Sequence, residues 1–194
     1  MSGSERLDRW NPLIKEAARR FRVPVTWIRA IVMIESGGRT MLGENLPIRS
    51  SAGAMGLMQV MPQTWAQMRS AYRLGSDPYD PRDNILAGTA YLQLLYRQYG
   101  YPGLFAAYND GPGMLEAHRR MRQFMPAETT AYVLDIASIL STGVRRNPQI
   151  SNGVPRPEAN GGPVQAAVGT VIVIPATPQR EPGGNSESDD VEEH

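Results

Sequence analysis

The chain contains 194 residues, of which 41% are hydrophobic, and its 20 basic and 19 acidic side chains give a formal net charge of +1. It has no cysteine, which excludes a disulfide scaffold, a thiolate metal site and a cysteine nucleophile. The small net charge argues against a nucleic-acid-binding protein. It also hides an asymmetry, because residues 1–146 hold 18 basic and 12 acidic side chains whereas residues 147–194 hold 2 and 7.

Helix signals follow one another through residues 1–146. Asn11 followed by Pro12 is typical of a helix N-terminus. The stretch Asp80–Asp83 combines a capping residue, a proline at the first helical position and an acid at the third. These signals, with glycines at the expected ends, predict an all-α domain of about seven helices, and no convincing strand appears between them. The expected helices lie at about 11–21, 24–36, 62–68, 81–99, 102–109, 112–121 and 126–141.

The two ends of the chain differ from this central part. Residues 147–194 contain seven prolines, six glycines and no aromatic residue, a composition that cannot bury enough apolar surface to fold. We therefore expect two units, a globular domain over 1–146 and a disordered acidic tail over 147–194, in which the apolar run 168–174 could pair as a strand with a partner. The N-terminus has no apolar signal region, and no stretch approaches the ~18 apolar residues of a membrane span.

Glu35 stands out because it lies on an apolar helix face. Ile28, Ile31 and Val32 precede it by seven, four and three positions, which places all four on one side of the helix. Burial raises the pKa of a carboxyl group, and a glutamate that stays protonated near neutral pH can act as a general acid. The alternative is a buried structural glutamate that is paired with an arginine.

Two further segments carry polar groups among small residues. Residues 50–62 are rich in small side chains that let backbone approach a ligand, and Gln59 supplies both a donor and an acceptor there. Residues 106–113 place Tyr108 and Asn109 just before a Gly-Pro-Gly turn. An aromatic ring and an amide beside a protonated acid suit a sugar with an N-acetyl group. Taken singly, these segments also fit an ordinary loop and a helix–turn–helix corner.

The order of these motifs resembles one enzyme family. Glu-Ser, Gly-Leu-Met-Gln, Ala-Tyr-Asn-x-Gly and Glu-Thr-x-x-Tyr-Val follow one another over roughly residues 10–142, as in the catalytic domain of the soluble lytic transglycosylases. That family has the goose-type lysozyme-like fold and cleaves peptidoglycan. The resemblance implies a compact lysozyme-like helical domain.

The resemblance also assigns roles to residues of this chain. Glu35 matches the family's catalytic acid and base. The stretch between Glu35 and Ser50 is about six residues longer than in other members, so Ser51 is an alternative to Ser50 as the serine near the substrate acetamido group. The positions implied to bind substrate are Ser50, Gln59, Met61, Tyr108, Asn109, Glu128 and Tyr132.

The implied reaction cleaves the β-1,4 bond between N-acetylmuramic acid and N-acetylglucosamine and forms a 1,6-anhydro-muramoyl end. It needs one carboxyl group, no cofactor and no metal. Two alternatives stay open, namely hydrolysis on the same fold, with Asp110 or another acid placing a water, and a non-catalytic wall-binding component. We expect a monomer in the periplasm or cell envelope whose partner is the glycan strand, with a secretion-system or virion protein as a possible contact of the tail, and no nucleic-acid partner.

Overall fold

The computed structural model describes residues 3–146, and these residues form an α-helical domain with one small sheet. The predicted all-α class is therefore confirmed. The predicted tail 147–194, its possible strand 168–174 and the expected division of the chain at residue 146 involve residues outside the described range. The helices are α1 (Gly3–Asp8), α2 (Asn11–Phe21), α3 (Val25–Ser36), α4 (Pro62–Tyr72), α5 (Pro81–Tyr99), α6 (Gly103–Asp110), α7 (Pro112–Met121) and α8 (Ala127–Arg146).

All seven predicted helices are present, with small differences at their ends. Asp80 caps α5 as expected, since its side chain accepts a hydrogen bond of 2.9 Å from the Asp83 amide. Asn11 was expected to cap α2 but is the first residue of that helix, and its side-chain oxygen instead accepts a hydrogen bond from Arg29. The last helix extends to Arg146, beyond the predicted end near Ser141.

Two elements were not predicted. Helix α1 lies before the first recognised signal and packs against α3. Strands β1 (Met41–Gly43) and β2 (Leu46–Pro47) form an antiparallel hairpin between α3 and α4. Its apolar side chains, Met41, Leu42 and Leu46, are all exposed, so the strands lack the alternation by which a half-buried strand is recognised. The hairpin lies in the stretch between Glu35 and Ser50.

Helix α5 forms the centre of the domain. It contacts α2, α4 and α6, and every residue from Asn84 to Leu92 is buried, together with Leu95. A helix that is buried on all sides needs neighbours all around it. The other helices supply the surrounding core, in which Trp27 of α3 packs edge-on against Tyr96 and Phe105 at 5.2 and 5.5 Å between ring centroids.

Asn84 of α5 holds the loop that precedes α4. Its side-chain oxygen accepts a hydrogen bond from the Met58 amide at 2.8 Å, and its nitrogen donates to the carbonyls of Met55 and Pro78, both at 2.9 Å. The loop lies so close that a Cβ atom on Gly56, which has a φ of +74°, would be 2.4 Å from the Asn84 amide nitrogen. The position and shape of this loop therefore depend on one buried amide.

Among the residues that the structure describes, no helix is both long and apolar enough to span a membrane.

We predict that Asn84→Ala lowers the free energy of unfolding by about 2–4 kcal/mol, because it leaves the Met58 amide buried without a partner and removes the donors to the Met55 and Pro78 carbonyls. Urea denaturation measures the change. Gln93→Ala is the matched control, since Gln93 is an amide on the same helix that makes a single hydrogen bond to the Phe21 carbonyl, and we expect it to cost only about 1 kcal/mol. Equal losses in the two variants would contradict the assigned role of Asn84.

Candidate active site

A cavity of about 540 Å³ opens beside the C-terminal end of α3. Its walls come from the end of α3, the loop between the hairpin and α4, the first turn of α4, one residue of α5, and the corner between α6 and α7. Within the part of the chain that the structure describes, Glu35 is the only carboxyl group that lines it. The principal polar and aromatic lining residues are Glu35, Arg49, Ser50, Gln59, Thr64, Tyr91, Tyr108 and Asn109.

Glu35 lies in the last turn of α3. As predicted, Ile28, Ile31 and Val32 on the same helix face are completely buried, while Glu35 itself is half-buried and reaches the cavity. Its carboxyl oxygen Oε1 accepts a hydrogen bond of 2.6 Å from the hydroxyl of Tyr132. Burial raises the pKa of Glu35 from 4.5 to about 7, and the bond from Tyr132 opposes that rise. The predicted rise in pKa is confirmed.

The structure does not support the alternative of a structural glutamate that is paired with an arginine. No salt bridge involves Glu35 among the described residues, and its hydrogen-bond partner is a neutral phenol. A half-buried carboxyl group with a raised pKa and no cationic partner holds its proton at neutral pH for about half of the time. Such a group can donate a proton and take one back.

The loop wall begins at Ser50. Its amide donates to the Ala54 carbonyl at 2.9 Å and its hydroxyl oxygen accepts from the Ala54 amide at 3.0 Å, which closes a tight loop. The hydroxyl hydrogen has no acceptor among the described residues, so it can donate to a ligand. Ser51 is exposed and does not line the cavity. Of the two alternatives, the structure therefore places Ser50 in the wall.

Gln59 lies where the loop doubles back. Met55 and Val60 exchange two backbone hydrogen bonds of 3.0 Å, and Gln59 between them has a φ of +48°. Its side-chain nitrogen donates to the Gly56 carbonyl at 2.8 Å. A non-glycine residue in this region of φ is strained by about 1–3 kcal/mol and persists only where its surroundings fix it. Met61, the residue before α4, also lines the cavity, as predicted.

Tyr108 and Asn109 form the opposite wall at the end of α6. The Tyr108 hydroxyl donates to the Met58 carbonyl at 2.8 Å, which ties α6 to the loop. Burial and the nearby Glu35 hold the pKa of Tyr108 well above its ordinary value, so the phenol stays neutral. Asn109 is exposed at the cavity rim, where its amide is accessible to a ligand.

Two of the predicted substrate-binding residues lie outside the cavity wall. Tyr132 is buried behind Glu35 and contacts the carboxyl group rather than the open space. Glu128 is exposed near the start of α8. Burial raises the pKa of Asp110, and the charge of Glu128 adds to that rise. The prediction that these two residues bind substrate therefore has no support in the cavity's geometry, although their helix does pack beside Glu35.

The sequence reasoning missed Tyr91 and Arg49. Tyr91 is on α5 and lines the cavity with its ring 5.7 Å from that of Tyr108, and burial raises its pKa to about 12. Arg49 is an exposed cation at the cavity edge. Tyr91 is surrounded in sequence by core residues, and Arg49 is one arginine among many. No local signal distinguishes either of them.

Asp110 does not line the cavity although its neighbours Asn109 and Gly111 do. Its carboxyl group points to His118 of α7, 3.6 Å away. His118 in turn lines a second cavity of about 570 Å³ on the other side of α7, beside the fully exposed ring of Phe124. No cluster of three or more His, Cys, Asp or Glu side chains suited to a metal occurs in the described range.

Comparison with known proteins identifies relatives of this domain. Residues 12–131 match the family described as the transglycosylase SLT domain. The chain is 37% identical over 111 residues to the soluble lytic murein transglycosylase of Escherichia coli (strain K12), which is 54% of this chain and 16% of the relative.

Solved structures agree with this match. The 70 kDa soluble lytic transglycosylase of Escherichia coli superposes with a TM-score of 0.59 and 29% identity, covering 71% of this chain and 24% of that one. The lytic transglycosylase Slt of Pseudomonas aeruginosa, solved as an inactive glutamate-to-glutamine mutant, has a TM-score of 0.58 and 25% identity over 70% of this chain and 24% of that one. The predicted lysozyme-like helical fold is confirmed, and the chain spans only a small part of the length of each relative.

We predict that Tyr132→Phe raises the pKa of Glu35 above about 7, because the lost hydroxyl stabilises the carboxylate by a hydrogen bond. Carboxyl ¹³C chemical shifts of Glu35, followed against pH, measure it. Tyr108→Phe is the matched control, since its hydroxyl bonds to the Met58 carbonyl instead, and we expect a smaller shift. A pKa that stays put or falls in Tyr132→Phe would refute the assigned contact.

We also predict a pH dependence of stability that comes from Glu35. Its pKa is higher in the folded chain than the ordinary 4.5, so ionisation is disfavoured by folding and stability falls as pH rises from about 4.5 to about 7. Relative to Glu35→Gln, the wild type loses about 3 kcal/mol across this window, and its stability levels off above it. Unfolding free energies at pH 4, 5.5, 7 and 8.5 test this, and the exposed Glu44→Gln is expected to follow the wild type.

Proposed function

This chain belongs to the transglycosylase SLT family, and we propose that it is a peptidoglycan lytic transglycosylase. In the proposed reaction it cleaves the β-1,4 bond between N-acetylmuramic acid and N-acetylglucosamine and leaves a 1,6-anhydro-muramoyl end. The activity rests on the residues of the cavity and on the names of the relatives, which are lytic transglycosylases.

The observation that carries the proposal is a single carboxyl group, with a raised pKa, in a cavity wall that has no other carboxyl group among the described residues. Most glycosidases place two carboxyl groups across the scissile bond, about 5 Å apart for retention or about 6.5–9.5 Å apart for inversion. In the described range the cavity offers only Glu35. A reaction with one carboxyl group is possible if the substrate supplies the second reacting group, as a 2-acetamido sugar with a free 6-hydroxyl does.

The proposed steps use the same carboxyl group twice. Protonated Glu35 gives its proton to the glycosidic oxygen as the bond from that oxygen to the muramoyl C1 breaks. The acetamido carbonyl oxygen of the muramoyl unit stabilises the positive charge at C1. The Glu35 carboxylate then takes the proton of the muramoyl 6-hydroxyl, whose oxygen bonds to C1 and closes the anhydro ring. The pKa of about 7 suits both transfers.

The other wall residues would hold the sugar in register. We assign the Ser50 hydroxyl to the acetamido group, and the Gln59 and Asn109 amides to polar groups of the glycan, because these side chains line the cavity with hydrogen-bonding capacity. The rings of Tyr91 and Tyr108 offer apolar surface to a sugar face. Arg49 is a suitable partner for the carboxylates of the peptide stems.

Hydrolysis on the same fold is the second candidate. It would require a group that places a water opposite Glu35, and the sequence analysis named Asp110 as a candidate for this role. The Asp110 carboxyl group faces His118 at 3.6 Å and does not line the cavity. This orientation favours the transglycosylase over the hydrolase. A non-catalytic wall-binding role is disfavoured by the retained acid with its raised pKa.

We infer that the chain works as a monomer in the cell envelope or periplasm, where its glycan substrate lies. Residues 1–146 are basic, and their excess of arginine suits a wall that carries carboxylates. The acidic residues 147–194 are the proposed contact for a secretion-system or virion protein.

Glu35→Gln is expected to lower the rate of release of soluble muropeptides from purified sacculi by at least about 1,000-fold, because the amide cannot deliver a proton. Glu44→Gln is the matched control, an exposed glutamate on the hairpin turn, and we expect wild-type activity from it. Release of muropeptides by Glu35→Gln at a near-wild-type rate would contradict the proposal.

The products of the same digestion separate the two enzymatic candidates. Mass spectrometry should find muramoyl ends that are lighter by one water than the corresponding reducing ends. Reducing ends alone would identify a hydrolase, and intact sacculi that nevertheless bind the protein would identify a non-catalytic component.

A further inference from the structure

The C-terminal end of α3, which carries Glu35, is bound by side chains from the N-terminal segment. Arg6 Nε donates to the Gly37 carbonyl at 3.2 Å. Arg9 and Trp10 both donate to the Gly38 carbonyl, at 3.3 Å from the guanidinium and 2.9 Å from the indole Nε1. We call these three donors, Arg6, Arg9 and Trp10, the N-terminal clasp.

The clasp is held together by its own contacts. The Arg9 guanidinium stacks over the Trp10 ring, 4.4 Å from the ring centroid. Leu7, between the donors, is buried in the core and fixes α1 in place. The backbones of the two segments touch at Gly38, where a Cβ atom would lie 3.1 Å from the carbonyl carbon of Arg6. Arg9 is exposed, but Arg6 and Trp10 are half-buried, so the clasp is partly packed against the domain.

The carbonyls that the clasp binds belong to the turn that directly follows α3. Helix ends fray because their last carbonyls have no amide partner within the helix. In α3 the Gly37 amide closes the final turn on the Met33 carbonyl at 3.0 Å. The carbonyl of Ser36, the last helical residue, accepts from the amide and side chain of Arg39 at 3.1 and 3.2 Å. The clasp then holds the Gly37 and Gly38 carbonyls, and so fixes the turn at which the helix ends.

Glu35 lies within this final turn, and its geometry is therefore linked to the clasp. The carboxyl group must stay beside the Tyr132 hydroxyl at 2.6 Å on α8 while it faces the cavity. If the final turn frays, the Cα atom of Glu35 moves and both relations change. A displacement of about 1 Å at a catalytic group can lower a rate by about 100-fold.

We propose that Arg6, Arg9 and Trp10 are positioning residues for Glu35, acting through the Gly37 and Gly38 carbonyls that follow α3. The inference deepens the proposed transglycosylase function and rests on it for its kinetic consequences. The three donors precede residue 12, where the match to the family begins. The clasp therefore lies outside the residues that match the family.

The kinetic test compares the full-length wild type with the triple variant Arg6→Gln, Arg9→Gln and Trp10→Phe, at a temperature well below unfolding. We expect kcat on soluble glycan strands to fall about tenfold while KM stays within twofold, because the cavity that binds the sugar is untouched. Arg20→Gln is the matched control, as it removes an arginine that donates to a backbone carbonyl, that of Tyr72, at 3.0 Å elsewhere in the domain. We expect it to leave kcat unchanged.

A double-variant cycle distinguishes positioning from general stability. If the clasp acts by holding Glu35 beside Tyr132, its removal should cost less in a Tyr132→Phe background, where that contact is already lost. Additive effects, or a wild-type kcat in the triple variant, would overturn the proposal. If the triple variant fails to fold, Trp10→Phe alone replaces it. We then expect a threefold fall in kcat, and a wild-type kcat would overturn the proposal. Arg6→Lys, which keeps a donor, should retain most of the activity.

Hydrogen exchange tests the clasp without any substrate. The Gly37 amide closes the final turn of α3, and we expect it to exchange at least fivefold faster in the triple variant than in the wild type or in Arg20→Gln. Unchanged exchange would overturn the clasp even if the wild type proves active. Conversely, a wild type that releases no muropeptides would refute the proposed function and leave the exchange result to stand by itself.

Discussion

The buried side-chain amide of Asn84 determines where the candidate site lies. Two of its hydrogen bonds fix the loop at Met55 and Met58 against the central helix, and the Met58 carbonyl in turn accepts a hydrogen bond from the Tyr108 hydroxyl of α6. Two walls of the cavity are thus joined through a single residue of the core. Because an unpaired buried amide is costly, this arrangement allows little variation in the loop. The positions of the polar groups at Ser50 and Gln59 therefore depend on how this loop is held.

The site combines this rigid loop with a wall in which Glu35 is the only carboxyl group among the described residues, while Arg49 lies exposed at the edge. Glu35 is desolvated by the apolar face of α3 and meets only a phenol hydroxyl, so burial rather than a charged neighbour sets its pKa near 7. The tyrosines around it keep their protons, since burial also raises the pKa values of Tyr108 and Tyr132. One proton can therefore move at this site without competition from another acidic group in the wall.

Much of the fold could be predicted because local signals and burial agree. The capped start of α5 and the apolar face that precedes Glu35 can each be predicted from a short stretch of sequence, and the structure has both. The hairpin was not predicted, because its apolar residues are exposed and its strands are very short. The roles of Asn84 and Tyr91 were not predicted for a different reason. Each is one polar or aromatic residue within a helix, and only the contacts made across the fold reveal what it does. For Tyr132 the family motif predicted a substrate contact, whereas the packing of α8 turns it toward Glu35.

The partners in the Glu35–Tyr132 contact lie 97 residues apart in the chain, and this separation has a consequence during synthesis. Glu35 is synthesised well before Tyr132, so a nascent chain that still lacks α8 has Glu35 without its hydrogen-bond donor. The contact can form only when α8 docks against α3. A chain that ends before α8 therefore lacks the hydrogen bond that opposes the rise in the pKa of Glu35.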